Sequence, residues 1–309
     1  MNAPDAPAVR DQPRNRVLTL DGSGVRLAAD LWEPAGQDPT GTVVLLHGGG
    51  QTRHSWRHTG RRLAGAGWTV LCPDTRGHGE SEWSPRGDYS LDALVADLRA
   101  VLDVLDDPPV LVGASLGGMT SLLVLAEDPE IASGLVLVDV APTTERAGTA
   151  AVTSFMRAGR DGFASLDEVA DAVAAYNPHR PRPRDPGGLR RNLRRRAGRW
   201  FWHWDPRLVD EPQTAPSAMA ENARRARAAA ADLAVPTMLV RGTGSDVVSR
   251  AGARELLDLV PDAWYAEVPG TGHMVAGDDN DVFTGRLLDF LGHVAGGTPS
   301  GPNRRKDPS

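Results

Sequence analysis

The sequence predicts an α/β fold: a mostly parallel sheet with helices on both faces, interrupted once by a long helical insertion. Three observations carry this. Short apolar runs at 42–46, 69–73, 110–112, 134–138, 236–240 and 264–268 read as buried strands. Most are separated by segments of helical periodicity, the rhythm of strand–helix–strand crossovers. That rhythm stops over residues 142–232 and then resumes.

A chain of 309 residues suits one large α/β domain carrying an insertion, or two small domains. With 40% hydrophobic and 24% charged residues it can bury a sizeable core. A net charge of −6 and a pI near 5.8 argue against a general nucleic-acid binder. One cysteine, Cys72, excludes an internal disulfide framework and a thiolate metal cluster, and its apolar setting makes it an inert core residue. No run reaches the roughly 18 apolar residues of a membrane span. The first residues lack an apolar signal core, so the expectation is a cytoplasmic protein with no membrane partner.

In chain order, residues 1–16 are rich in Pro, Asp and Arg and read as a disordered tail. Residues 17–20 and 25–32 alternate apolar and polar across Asp21-Gly-Ser-Gly24, a β-hairpin. The strand at 42–46 runs into His47-Gly48-Gly49-Gly50, where glycines let the backbone turn and expose its N–H groups. A helix over 55–67 and a strand at 69–73 lead to a polar turn, Asp74-Thr-Arg-Gly-His-Gly-Glu-Ser81. Leu91, Leu94, Leu98, Val101, Leu102 and Leu105 fall at helical spacing behind Ser90, a candidate N-cap. The core resumes at 236–240, then a helix over 250–260, a strand at 264–268 and a last helix over 281–294. The domain reading is therefore a core of 17–141 and 233–295, a helical cap of 142–232, and disordered tails at 1–16 and 296–309.

The cap is the least readable part. It holds a Pro/Arg-rich stretch at 178–186, an arginine cluster at 190–196 and Trp200-Phe-Trp-His-Trp204. The arginines are expected to form a solvated helix face, and the aromatics to be cap packing in preference to a pocket wall.

The chemistry centres on Gly113-Ala114-Ser115-Leu116-Gly117, which fits G-x-S-x-G between a strand and a helix. A serine held at that sharp turn sits in strained backbone, so small residues must flank it, and the helix N-terminus aims free N–H groups at any anion formed there. Serine is a weak nucleophile and needs a base, which in turn needs an acid to fix its tautomer. Ser115 is followed by Asp246, in Gly242-Thr-Gly-Ser-Asp246, and by His273, in Gly270-Thr-Gly-His273. Both follow strands, where an α/β sheet gathers its active groups. Asp139 also follows a strand and is the alternative acid; Asp246 better fits the Ser–Asp–His chain order. Asp278, Asp279 and Asp281 are assigned to the start of the last helix. Backbone N–H groups of Leu116 and Gly49 are the candidate oxyanion donors, with Gly50 the second choice beside Gly49 and Gln51 lining the same pocket. His47 and His78 are assigned bracing roles beneath the glycine loop and beside the elbow. No dinucleotide or P-loop fingerprint is present, and no histidine has metal-ligand company at useful spacing, so neither cofactor nor metal is required.

These motifs together resemble the α/β-hydrolase superfamily, in the branch of small esterases, cofactor-free perhydrolases, carbon–carbon hydrolases and epoxide hydrolases. The resemblance spans about residues 17 to 294. It implies an eight-stranded, mostly parallel sheet with its second strand antiparallel and a helical cap after the sixth. Epoxide hydrolases and haloalkane dehalogenases of this branch carry an aspartate at the nucleophile position, from which Ser115 departs. The reading that follows is a serine hydrolase acting on small carboxylic esters through Ser115, His273 and Asp246. Perhydrolysis and carbon–carbon bond hydrolysis use the same triad and are the enzymatic alternatives; a ligand receptor on the same fold is the non-enzymatic one.

Overall fold

The computed structural model describes residues 12–36, 38–177, 182–210, 214–275 and 281–296. Its main sheet has eight strands. β1 (Arg14–Asp21) pairs antiparallel with β2 (Arg26–Glu33), and β2 pairs antiparallel with β4 (Thr69–Pro73). From β4 the sheet continues in parallel through β3 (Thr42–Leu46), β5 (Val110–Ala114), β6 (Gly134–Val138), β9 (Thr237–Gly242) and β10 (Trp264–Val268). The second strand is thus the reversed one. β1 begins earlier than the alternation suggested, because Arg14, Asn15 and Arg16 pair with Glu33, Trp32 and Leu31. The remainder of the expected N-terminal tail, residues 1–11, lies outside the described residues, as do 297–309 of the C-terminal one.

The apolar strands sort their side chains alternately to two covered faces. Val44, Leu46, Leu111 and Leu137 pack with α2 (Leu91–Leu102), α3 (Leu116–Glu127) and α7 (Arg250–Leu259). Val43, Leu45, Val112 and Val138 face the other way, onto α1 (Arg57–Gly65) and α8 (Asp281–Gly296). Ser90 caps α2, its hydroxyl accepting from the Ala93 N–H at 3.3 Å. Among the described residues no helix is long and apolar enough to cross a membrane.

The segment between β6 and β9 departs from the all-helical expectation. It contains α4 (Arg146–Arg157) and α5 (Leu166–Tyr176), then a hairpin of β7 (Leu193–Arg196) and β8 (Arg199–Trp202). Ala197 and Gly198, both at positive φ, make the two-residue turn that suits a right-twisted hairpin. Arg194, Arg195 and Arg196 of the arginine cluster therefore lie on a strand, after Arg190 and Arg191 in a 3-10 turn, and period-two alternation splits them. Arg194 and Arg196 each lie 5.2 Å from the Trp83 ring, while Arg195 lies 5.4 Å from Trp200. The aromatic run packs inside the insertion, with Trp202 and Trp204 stacked at 4.8 Å. The last helix of the segment, α6 (Pro216–Ala231), returns to the core: Ala226, Ala229 and Ala230 belong to the cluster that covers α3 and α7. Residues 178–181, part of the Pro/Arg-rich stretch, lie outside the described residues.

The polar turn at 74–81 is held by a buried ion cluster. Arg53, 3% exposed, pairs with Asp30 at 2.9 Å and with Asp74, and its own N–H donates to Asp74 Oδ1 at 2.7 Å. Asp74 also accepts from the Glu80 N–H at 3.0 Å. Removing the cation strands two buried carboxylates, so Arg53→Met should destabilise the fold by about 3–5 kcal/mol, measured as a lowered urea midpoint.

Candidate active site

Ser115 sits between β5 and α3 with φ +47°, a region that L-residues rarely adopt. The turn is possible because the residues two positions before and after Ser115 are glycines. A Cβ on Gly113 would lie 2.4 Å from the Gly118 nitrogen, and one on Gly117 would lie 2.5 Å from the Leu46 carbonyl oxygen. The strained turn lifts the Ser115 hydroxyl over the sheet edge and leaves Leu116 as the first residue of α3, its N–H among those without an intrahelical acceptor.

Ser115 Oγ lies 3.1 Å from His273 Nε2, and His273 Nδ1 lies 2.7 Å from Asp139 Oδ2. The carboxylate against the histidine is therefore Asp139, which corrects the assignment of that contact to Asp246. Strand register gives the reason. Ala114 pairs with Val138 across β5 and β6, so the next residues, Ser115 and Asp139, emerge side by side. The Ser115 N–H donates to the Val138 carbonyl at 3.1 Å. Asp139 also has positive φ, +49°, which turns its side chain across the strand ends. It is fully buried and satisfied: Oδ1 accepts from the Gly242 N–H at 3.0 Å, and Oδ2 from the Ser245 hydroxyl at 2.6 Å. Asp246 lies four residues beyond the end of β9, is exposed, and has no hydrogen bond to His273.

The glycine loop after β3 lies against this group. An added Cβ on Gly48 would stand 3.4 Å from Ser115 Cβ, and one on Gly49 would stand 4.0 Å from Leu116 Cδ2. The three N–H groups have separate fates. Gly48 donates to Gln51 Oε1 at 2.9 Å, and Gly50 donates to His78 Nε2 at 3.1 Å. Gly49 has no such bond among the described residues, so Gly50 drops out as a free donor and Gly49 remains.

His47 and His78 are buried beneath the loop, and burial lowers the pKa of each, that of His78 to about 3. Their partners place the proton on Nδ1 in both rings. His47 Nδ1 faces the Gly48 carbonyl at 2.8 Å while Nε2 accepts from the Thr75 N–H at 3.0 Å; His78 Nδ1 faces the Arg76 carbonyl at 3.1 Å. A neutral His78 is what allows Nε2 to accept from Gly50.

Ser115, His273, the three glycines and Gln51 line one cavity, which the insertion walls with Val152 and Phe155 of α4 and Tyr176 of α5. Phe155 stacks on Tyr176 at 4.3 Å. Sequence reasoning missed these three and Met274, which also lines the cavity. Nothing in their spacing distinguishes a wall from ordinary packing, although Met274 follows His273 directly. Asp278 and Asp279 lie outside the described residues, and Asp281 begins α8. Cys72 is a buried residue of β4, and burial pushes its thiol pKa well up.

Comparison with known proteins places this chain in a family. A family model described as the alpha/beta hydrolase fold matches residues 41–279. An esterase of Mycobacterium tuberculosis is 35% identical over 174 residues, covering 53% of this chain and 56% of the esterase, so the match spans little more than half of that relative. A 2-(acetamidomethylene)succinate hydrolase of Mesorhizobium japonicum is 29% identical over 72% of this chain and 78% of its own. The solved structure of the M. tuberculosis esterase superposes with a TM-score of 0.69 at 27% identity, covering 91% of this chain and 92% of that one.

The elbow yields a direct test of the steric argument. Gly117→Ala should force β3 and α3 apart and lower stability by about 1–3 kcal/mol, visible as a depressed melting temperature.

Proposed function

The chain belongs to the α/β-hydrolase fold family, and from that premise we propose that it is a serine hydrolase acting on small carboxylic esters. The observation that carries this reading is the hydrogen-bonded run from Ser115 through His273 to Asp139 beside the free Gly49 N–H. The esterase and hydrolase relatives support the same reaction class.

In this mechanism Ser115 Oγ attacks the ester carbonyl carbon while its proton passes to His273 Nε2. Asp139 holds His273 in the tautomer that accepts at Nε2 and stabilises the imidazolium that results. The oxyanion is held by the N–H groups of Leu116 and Gly49. His273 then protonates the departing alkoxide, leaving an acyl group on Ser115. Water attacks this acyl-enzyme with His273 as base, and the acid leaves. His47 and His78 take no proton; they hold the glycine loop at the height that Gly49 needs. Val152, Phe155, Tyr176 and Met274 form an apolar and aromatic wall, suited to an acyl or alcohol group of modest size.

Purified Ser115→Ala should lose at least about 10⁴-fold in kcat on p-nitrophenyl acetate and should fail to gain mass from a fluorophosphonate probe. Near-full activity in that variant would remove Ser115 as nucleophile. Asp139→Asn should cost about 10³–10⁴-fold in kcat, whereas Asp246→Asn should stay within about tenfold on the same neutral ester. The reverse ranking would return the acid's role to Asp246.

A further inference from the structure

Asp246 stands outside the hydrogen-bonded run but is held beside the same cavity. Its loop is tied at several points. Ser245 Oγ donates to Asp139 Oδ2 at 2.6 Å, and Glu145, just ahead of α4, donates its N–H to the Val247 carbonyl at 2.8 Å. Gly148 of α4 approaches so closely that an added Cβ would lie 2.1 Å from the Asp246 carbonyl oxygen. The Asp246 backbone is thus fixed at the junction of α4 with the strand ends, while its carboxylate is exposed, with no hydrogen bond or ion pair among the described residues.

Its field reaches the cavity wall. The Tyr176 phenol pKa is raised to about 12, by burial first, then by Asp246 and then by Asp139. Tyr176 lines the cavity together with Ser115 and His273. No lysine or arginine among the described residues lines that cavity, so along the Tyr176 wall no side-chain cation offsets the two carboxylates for an incoming anion.

We propose that Asp246 is a specificity-determining residue whose unpaired carboxylate, with Asp139 behind it, sets a negative potential along the Tyr176 wall that admits uncharged esters and repels substrates bearing a carboxylate. This rests on the serine-hydrolase reading. It gives Asp246 a role by charge alone, without contact with the reacting atoms. Selection of this kind works by disfavouring the wrong substrate. It should weaken with added salt, because the carboxylate is exposed to solvent.

The test uses the full chain and two fluorophosphonate probes, identical except that one ends in a carboxylate and the other in its methyl ester. The second-order rate of Ser115 labelling is read by intact mass at low and high ionic strength. The wild type should label faster with the uncharged probe by about tenfold at low salt, and by less at high salt. Asp246→Asn should narrow the preference by about threefold or more, mainly through faster labelling by the anionic probe, while Asp246→Glu should keep it. Equal rates for the two probes in the wild type, or a preference that neither salt nor Asp246→Asn alters, would overturn the proposal and leave the serine nucleophile standing. Asp246→Asn slowing both probes together would also overturn it, pointing to a structural or triad role. Labelling by neither probe in folded protein would sink the nucleophile assignment and the proposal with it.

Discussion

The candidate site depends on the pairing of β5 with β6. That register, Ala114 opposite Val138, brings Ser115 and Asp139 out of the sheet at the same level. Both then turn through positive φ, a costly conformation that persists only where the surroundings over-determine it. Here they do: the Ser115 N–H is held by Val138, the Asp139 N–H by Val240, and the glycines of the elbow leave room for no other path. Two strained residues on adjacent strands fix two ends of the hydrogen-bonded run, and the loop after β10 has only to deliver His273 between them. The close fit of that loop is visible at Gly242, where a Cβ would lie 2.4 Å from the Gly272 carbonyl oxygen.

The glycine loop is fixed from two sides. Below it, the chain of bonds runs from Arg53 and Asp74 through the 74–81 turn to His78, and from His78 Nε2 to the Gly50 N–H. Above it, Met156 of α4 and Trp204 crowd the loop, so that a side chain on Gly50 would meet both at 3.3–3.5 Å. Trp204 Nε1 in turn donates to the Met156 carbonyl at 3.3 Å. The insertion therefore does more than wall the cavity. Its aromatic core presses on the glycine loop, which couples packing in a distant segment to the height of Gly49, the proposed oxyanion donor.

Most of the core was legible in the sequence because its signals are local. Apolar runs, a cap serine and a glycine-flanked serine each follow from a few neighbouring residues. The insertion was not, because its hairpin strands are four residues each and are written in arginine and tryptophan, which carry no clear apolar alternation. The Ala197-Gly198 turn was the available clue, though Ala-Gly is a weak one beside Asn-Gly. The choice between Asp246 and Asp139 failed for a different reason. Chain order is a rule about loops, and loops of different length reach different depths. Register is a rule about neighbours, and counting one residue past each paired strand would have put Asp139 beside Ser115.

The two aspartates differ in a way that suits them to different work. Asp139 is fully buried, and an isolated carboxylate there would be costly, so it exists only with its three donors, one of which is His273. Those three bonds fix its orientation and hold its charge against the imidazole. Asp246 is solvated and carries no such debt of desolvation, so its charge is left to act through space. A buried, bonded carboxylate orients one partner strongly; an exposed one biases everything nearby weakly and yields to salt. Ser245 joins the two, donating to Asp139 while placing Asp246 one residue further along, so the geometry that orients the histidine also sets where the second charge stands.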